Sequence, residues 1–394
     1  KGMSHMVNFN FAKVPQTIFH PGSINEIDSL HIVKSAKNIL LVTGANSFRN
    51  SKHYGKLLEK MVNTNIYETR VVREPSPESI DNEVNKHREH NIELVIAVGG
   101  GSVMDAGKAI SAMLTQKDSV MAYIEGVGEG KIHNGDKIPL IAIPTTSGTG
   151  SETTKNAVLS KVGKKGFKKS IRHENFVPDI VILDPELMIN CPYNVTAASG
   201  LDALTQLIGS YVSTKAYPMT DALAVSGIEY FGKSFLSVCK DEYDSIEKRA
   251  SMAYASYISG ITLANAGLGI VHGFASSVGG YTNIPHGVLC GTLLPEAVKL
   301  NIKLLQEQQD EIYLKKYAKV GAILTGSDEK DIDTSCIELV NILEYWINEL
   351  KIPRLKEFGI TEQDLDCIVK ATNNKNNPIN LSNEQMKSIL LSRL

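Results

Sequence analysis

Short β-branched runs alternate with polar helical stretches through the first half of the chain. Segments 38–43 (NILLVT), 69–73 (TRVVR), 93–98 (ELVIAV), 139–143 (PLIAI) and 179–183 (DIVIL) have the length and composition of strands, and four of them end at Gly, Pro or Asp turn signals. Between them, 77–90 and 103–114 carry helical patterns. The first has Ser76 as its N-cap and Pro77 at the first helical position. Strands alternating with helices predict a parallel sheet with helices on both faces. After Pro192 the periodicity becomes helical and the strand signal nearly vanishes. The pattern therefore predicts an α/β unit over 7–192 and an all-helical unit over 193–394.

Composition narrows the function classes. The chain has 394 residues, enough for two or three domains with unaided cores. Forty-one basic against 43 acidic residues give a net charge of -2, which argues against a nucleic-acid or membrane-surface partner. No apolar run approaches the roughly 18 residues of a bilayer span. Residues 1–6 (KGMSHM) read as a cloning remnant ahead of an internal start Met, and no basic segment leads into an apolar one there. The five cysteines contain no CxxC pair, which fits reduced thiols in a cytoplasmic protein better than disulfides or a cysteine-based zinc site. Segment 161–169 (KVGKKGFKK) is locally basic. It reads as a solvated turn, with one lysine meeting phosphate as the alternative.

Two glycine-rich turns carry candidate chemistry. The run 93–98 leads straight into Gly99, Gly100, Gly101 and Ser102 and then a helix. Such a turn exposes unpaired N–H groups at the positive end of a helix dipole, and glycine lets a pyrophosphate approach the backbone. Asp105 lies in that helix's first turn, with Lys108 a turn later. The plainer reading is a tight turn capped by Ser102. GxGxxG and the P-loop spacing are both absent from this turn. The second turn, 144–152 (PTTSGTGSE), offers five hydroxyls and two glycines. Its plainer reading is a capping box from Thr149 to Glu152. Two such turns at the carboxyl edge of one parallel sheet favour a Rossmann-like dinucleotide crevice.

The helical half holds a candidate metal set. Asp202 and Gln206 are i and i+4 on one helix face. His272 and His286 lie 14 residues apart, and Gly279, Gly280 and Pro285 are expected to interrupt the helix between them, folding the second back towards the first. One carboxylate and two imidazoles suit a divalent cation such as Zn²⁺ or Fe²⁺. Taken singly, each histidine reads as a hydrogen-bonded core residue and Asp202 as an N-cap.

Together, GGGSVMDAGKAI at 99–110, PTTSGTGSE at 144–152, PDIVILDPEL at 178–187, TAASGLDALTQ at 196–206 and GLGIVHGFASSVGGYTNIPHG at 267–287 resemble the iron-containing alcohol dehydrogenase family. NNPINLS at 376–382 fits that family's closing pattern, and the resemblance runs from about Asn8 to Leu394. It implies an N-terminal dinucleotide-binding domain, a C-terminal helical domain with a metal in the cleft, and NAD(P)-dependent interconversion of small alcohols with aldehydes or ketones. It further implies a homo-oligomer, dimer or larger. Carried over, Asp202, His272 and His286 fall on metal-ligand positions and carry the catalytic centre. Gly100, Gly101 and Ser102 fall on the pyrophosphate turn, with Asp105 beside it. Thr145, Thr146 and Thr149 fall on the second cofactor turn, and Lys168 on a lysine near the cofactor ribose.

Three departures change the expectations. The family usually has a third ligating histidine where Gln206 stands. An amide oxygen is neutral and a poorer donor, so weaker binding through three protein ligands plus water is expected, with Zn²⁺ level with Fe²⁺. Ser276 stands where another histidine is common, so a relay there would run through a hydroxyl or water. The first predicted strand often ends in an aspartate that takes the ribose hydroxyls, whereas Gly44 follows here, with Ser47 nearby. That loss removes repulsion against a 2′-phosphate, so NADP(H) is favoured over strict NAD use. A specialised or metal-independent reductase on the same fold, like a maleylacetate or phosphonoacetaldehyde reductase, and a non-catalytic dinucleotide-binding protein are the alternatives. Phe274, Tyr281 and Cys290 flank the two histidines as candidate pocket residues, Phe274 more simply as core.

Overall fold

The computed structural model describes residues 7–328 and 330–394, so segment 1–6 lies outside the described residues. Six parallel strands form one sheet: β1 (Gln16–Phe19), β2 (Asn38–Gly44), β3 (Asn65–Val71), β4 (Leu94–Gly99), β5 (Leu140–Pro144) and β8 (Ile180–Leu183), ordered β1-β8-β5-β4-β2-β3. Strands β6 (Asn156–Lys161) and β7 (Phe167–Arg172) form a separate antiparallel hairpin. Helices α1 (His31–Ser35), α2 (Lys52–Glu59), α3 (Pro77–His87) and α4 (Gly101–Met113) accompany the sheet. From Pro192 onward the described residues contain helices and no strand: α5 (Tyr193–Tyr211), α6 (Pro218–Gly232), α7 (Phe235–Val238), α8 (Ile246–Ala266), α9 (Ile270–Tyr281), α10 (His286–Glu307), α11 (Glu311–Thr325), α12 (Ile332–Glu349), α13 (Leu365–Lys370) and α14 (Asn383–Ser392). The fold is thus a parallel-sheet N-terminal domain followed by a helical C-terminal domain.

The central strands are apolar on both faces because helices cover both sides. Leu40, Val42, Val95 and Ala97 belong to one core cluster, and Ile39, Leu41, Ile96 and Val98 to another. The register matters for function. Thr43 pairs with Val98 and Gly99 with Pro144, so the carboxyl ends of β2, β4 and β5 lie level.

The strand predicted at 69–73 forms four residues earlier, as β3. It is an edge strand whose half-exposed positions admit Glu68 and Arg70, so its apolar pattern is diluted. Strand β1, four residues at the opposite edge, gave no pattern long enough to read. The basic stretch 161–169 is a hairpin tip with strand on either side. Ala157, Leu159 and Ile171 point into the core while lysines occupy exposed positions between them. The N-terminus of α3 is as expected: Ser76 caps it and exchanges hydrogen bonds with Ser79.

In the helical domain, α5 runs through the core with Leu201, Leu204 and Leu207 buried. Helix α9 continues through Gly279 and Gly280, against expectation, and breaks only before Pro285, which precedes the first residue of α10. Those glycines instead admit the hairpin. A side chain at Gly279 would meet Lys168 Cδ at 2.9 Å, and one at Gly280 would meet the Phe167 Cα at 3.0 Å. Among the described residues no single helix is long and apolar enough to cross a membrane.

Candidate functional site

Helix α4 begins where β4 ends. Its N-cap is Gly100, not Ser102, and no side chain caps it, so the first turn presents backbone donors at the sheet edge. The second turn comes directly against this one. Thr145 N–H donates to Gly99 O at 2.9 Å. A Cβ at Gly100 would lie 3.4 Å from Thr146 Oγ1, and one at Gly101 would lie 2.7 Å from Thr149 Cγ2. The predicted capping box does not form: a short 3₁₀ turn follows Gly150, and Thr149 Oγ1 accepts from Ser151 N at 3.2 Å. Asp105 ties the two turns together by accepting from Ser151 Oγ at 2.7 Å. Lys108 is buried, and its ammonium donates to the carbonyls of Ser151, Thr154 and Asn156 and to Thr154 Oγ1, which fixes the far side of the second turn. Gly44 ends β2 beside Val103 of α4, and Ser47 is exposed just beyond it.

One residue at this edge escaped the sequence reading. Arg49 donates from Nε to Thr43 Oγ1 at 2.6 Å and pairs through Nη1 with Glu68 at 3.0 Å, while its Nη2 is buried with no hydrogen-bond partner.

The neighbouring Glu152 yields a test of the turn's burial. Its side chain is buried, Oε1 has no partner, and burial pushes its carboxyl up to about 7 from an ordinary 4.5. A carboxyl raised in the fold contributes stability that is present below its unfolded value and lost as pH rises through its folded one. Glu152→Gln is therefore expected to be more stable than the parent at about pH 8, by about 1–3 kcal/mol, and nearly equal at about pH 4. Denaturant midpoints of both proteins across that range check it; a pH-independent difference would contradict it.

The second half of the site lies on α5, α9 and α10. Asp202 is interior to α5 rather than an N-cap, and is 1% exposed. Its Oδ1 lies 3.2 Å from His272 Nε2 and 3.3 Å from His286 Nε2. Burial alone would push the Asp202 carboxyl up, but the His286 and His272 imidazoles outweigh it and hold the group well below the usual carboxylate range. Burial lowers His272 against the opposing pull of Asp202. Cys290 also joins the group, its Sγ 3.6 Å from His272 Nε2 and 3.7 Å from His286 Nε2. The candidate ligand atoms of all four residues lie within 4.8 Å of one another. The sequence places Cys290 beside the histidines as a pocket residue, and the lack of a CxxC pair hides it as a ligand. The usable signal was that His286 and Cys290 are i and i+4 on one helix.

Gln206 is turned away from this role: its Oε1 accepts from Ser259 Oγ of α8 at 2.7 Å. Ser276 is likewise engaged, donating to the Lys168 carbonyl at 2.9 Å and clamping α9 to β7. Lys168 extends its ammonium to Glu74, at 2.7 and 2.8 Å from its two carboxylate oxygens. Burial opposes ionisation of Glu74, and Lys168 reverses that and holds its carboxyl below the ordinary range. Phe274 is core, and Tyr281 donates its hydroxyl to Asp364.

The donor set fits a divalent cation. Bonds of about 2.0–2.2 Å from nitrogen and oxygen set the O···N edge of a tetrahedron near about 3.4 Å, against the 3.2 and 3.3 Å found. The first turn of α4, with no side-chain cap, leaves backbone N–H groups for a pyrophosphate, and the lack of side chains at Gly100 and Gly101 lets the second turn pack directly against it. The two halves meet through α5. A Cβ at Gly148 would lie 2.8 Å from the Cβ of Ser199, one helical turn before Asp202.

Residues 15–185 match the family model for iron-containing alcohol dehydrogenase, and residues 196–394 match that for the C-terminal part of the Fe-containing alcohol dehydrogenase family. Alcohol dehydrogenase 4 of Saccharomyces cerevisiae is 33% identical over 384 residues, which cover 95% of this chain and 96% of that protein. An NADPH-dependent butanol dehydrogenase of Clostridium saccharobutylicum is 31% identical, covering 95% and 96%. An NAD-dependent methanol dehydrogenase of Bacillus methanolicus is 29% identical, covering 92% of each. Among solved structures, a 1,3-propanediol oxidoreductase superposes with a TM-score of 0.86 at 26% identity, covering 98% of this chain and all of that one.

Proposed function

Because the chain belongs to the iron-containing alcohol dehydrogenase family, we propose that it transfers a hydride between NADP(H) and the carbinol or carbonyl carbon of a small alcohol or aldehyde, with a divalent cation held by Asp202, His272 and His286. Alcohol dehydrogenase activity, a nicotinamide cofactor and a metal follow from the family. The ligand assignment, the preference for the phosphorylated cofactor and a domain boundary at Pro192 are our reading. The observation that carries it is the convergence of two imidazole Nε2 atoms, at 3.2 and 3.3 Å, on the carboxylate of Asp202, whose helix also packs against the second glycine turn.

When bound, the cation supplies Lewis-acid polarisation of the substrate oxygen. The chain's own residues do the rest. The first turn of α4 and Gly100, Gly101 and Ser102 hold the pyrophosphate by backbone N–H groups and helix dipole. Thr145, Thr146 and Thr149 offer hydroxyls beside it, and Asp105 acts by bracing the two turns rather than by touching the cofactor. Lys168 would meet the ribose as half of an ion pair, its charge compensated by Glu74. Burial of His272 and Asp202 keeps water out and holds the ligands in one geometry.

Gly44, Ser47 and Arg49 support the NADP(H) preference. The strand end lacks a carboxylate, a hydroxyl is exposed, and a buried guanidinium keeps one nitrogen unpaired. NADPH is expected to exceed NADH in kcat/KM by about tenfold or more, a difference of about 1.4 kcal/mol, and Arg49→Met to reduce that ratio. A spectrophotometric screen of both cofactors against short aldehydes, with chelated and with Zn²⁺- or Fe²⁺-loaded protein, tests both parts. Equal use of the two cofactors would refute the preference, and full turnover in the chelated protein would refute the metal assignment.

A further inference from the structure

We propose that Cys290 is a fourth protein ligand of the cation, its Sγ bonding as thiolate and supplying an Asp–His–His–Cys set in place of the ligand that Gln206 does not supply, with the substrate oxygen entering as a fifth ligand. The inference rests on the metal reading above and goes beyond it.

Geometry carries it. A sulfur bond of about 2.3 Å and a nitrogen bond of about 2.0–2.1 Å give a tetrahedral S···N edge near about 3.6 Å. The two such edges here are 3.6 and 3.7 Å. With the two O···N edges of 3.2 and 3.3 Å, four of the six edges of one tetrahedron are accounted for. Hydrogen bonding to Asp202 serves only part of the arrangement. An imidazole nitrogen directs its proton or lone pair along one line, yet each Nε2 faces a carboxylate oxygen and a sulfur at once. Nor does Cys290 simply fill the core as a small apolar residue, since its sulfur is turned to two nitrogens.

The sequence produces this arrangement economically. His286 and Cys290 are one turn apart on α10 and so project from the same face. Gly291, next along, presses against Leu201, the residue before Asp202: a Cβ there would lie 2.8 Å from Leu201 Cδ1. Without a side chain at 291, α10 can sit close enough to α5 for Cys290 to reach the cluster. Gln206 meanwhile lies on the α8 side, where Ser259 engages it. A thiolate in the set neutralises the remaining charge of a divalent ion already facing one carboxylate. It is also a soft donor, which tilts the site towards Zn²⁺.

Cobalt reports the ligand directly. Chelator-treated full-length protein and its Cys290→Ser variant are each loaded with one equivalent of Co²⁺, and their absorption spectra recorded. The proposal expects visible d–d bands of low-coordinate Co²⁺ in both, with a thiolate-to-cobalt charge-transfer band in the near ultraviolet in the parent and its loss in the variant. Visible bands in the parent without the charge-transfer band would overturn Cys290 as a ligand and leave the three-residue metal centre standing. No Co²⁺ uptake by the parent would overturn the metal centre and the cysteine ligand together. A charge-transfer band that survives in Cys290→Ser would place the sulfur elsewhere and also overturn the proposal. Because the parent spectrum can refute the assignment by itself, a variant that fails to fold does not rescue it.

Discussion

His272→Ala is expected to lower metal-supported turnover by about 100-fold or more and to leave the purified protein with little bound cation. Partners that merely orient a metal-bound histidine are worth about 10–100-fold in affinity or activity, and a direct ligand sits above that range. The effect has a second source. Asp202 is 1% exposed and is kept ionised by His286 and His272. Removing one imidazole weakens its hold on a buried charge and opens a cavity beside it. His272→Gln, which keeps a polar group and most of the volume, separates the two contributions: it is expected to restore the melting profile but not the cation. Metal content and steady-state rates of the chelated and reloaded proteins check this. Parent-like turnover in metal-free His272→Ala would refute the role assigned to this residue.

Gly101→Ala is expected to destabilise the protein and to weaken NADPH binding by about tenfold or more. Its new Cβ would lie 2.7 Å from Thr149 Cγ2 and 2.9 Å from Thr149 Oγ1, closer than packed atoms tolerate. One turn must therefore withdraw from the other, at a cost of about 1–3 kcal/mol. The collision involves one side chain, so it is removable. Thr149→Ala deletes both offending atoms and leaves only the Thr149 Cβ, at 3.4 Å. The double variant should regain most of the lost stability, giving a coupling between the two positions of about 1 kcal/mol or more. Denaturant midpoints of the four proteins, with NADPH fluorescence titrations beside them, measure it. Additive effects would mean that the turns are not in the contact described, and the shared phosphate cradle would fall with it.

The parts of the fold that could be read in advance are those where one physical term dominates. Segments 38–43 and 93–98 are buried on both faces, so burial alone writes their apolar runs. At the sheet margins several terms compete. Strand β3 carries Glu68 and Arg70 because one side is open, and Glu68 is further engaged by Arg49 and Tyr54. The hairpin was hidden by its lysines: Lys161 and Lys169 are exposed and Lys168 is paired with Glu74, while Leu159 and Ile171 turn inward. The site shows the same division. The turn at Gly100 and Gly101 could be read because glycines directly after an apolar strand run mark a strand-to-helix turn. The three candidate ligands could be aligned only through their motif blocks, since nothing local ties Asp202 to residues 70 and 84 positions further on. Two pairings could not be read at all. Lys168 and Glu74 are 94 residues apart, and the hairpin brings the lysine to the loop after β3 through Ser160, whose N–H donates to Pro75 O at 2.9 Å. The engagement of Gln206 by Ser259 depends on how α8 lies on α5.

The most direct test of the account is a titration of the chelator-treated protein with Zn²⁺ or Fe²⁺ while NADPH oxidation by a short aldehyde is followed. The account predicts negligible rate without cation and a linear rise that breaks at one equivalent per chain, with Asp202→Asn giving no rise at any ratio. A rate that is full before any cation is added, or a rise in Asp202→Asn that matches the parent, would contradict it.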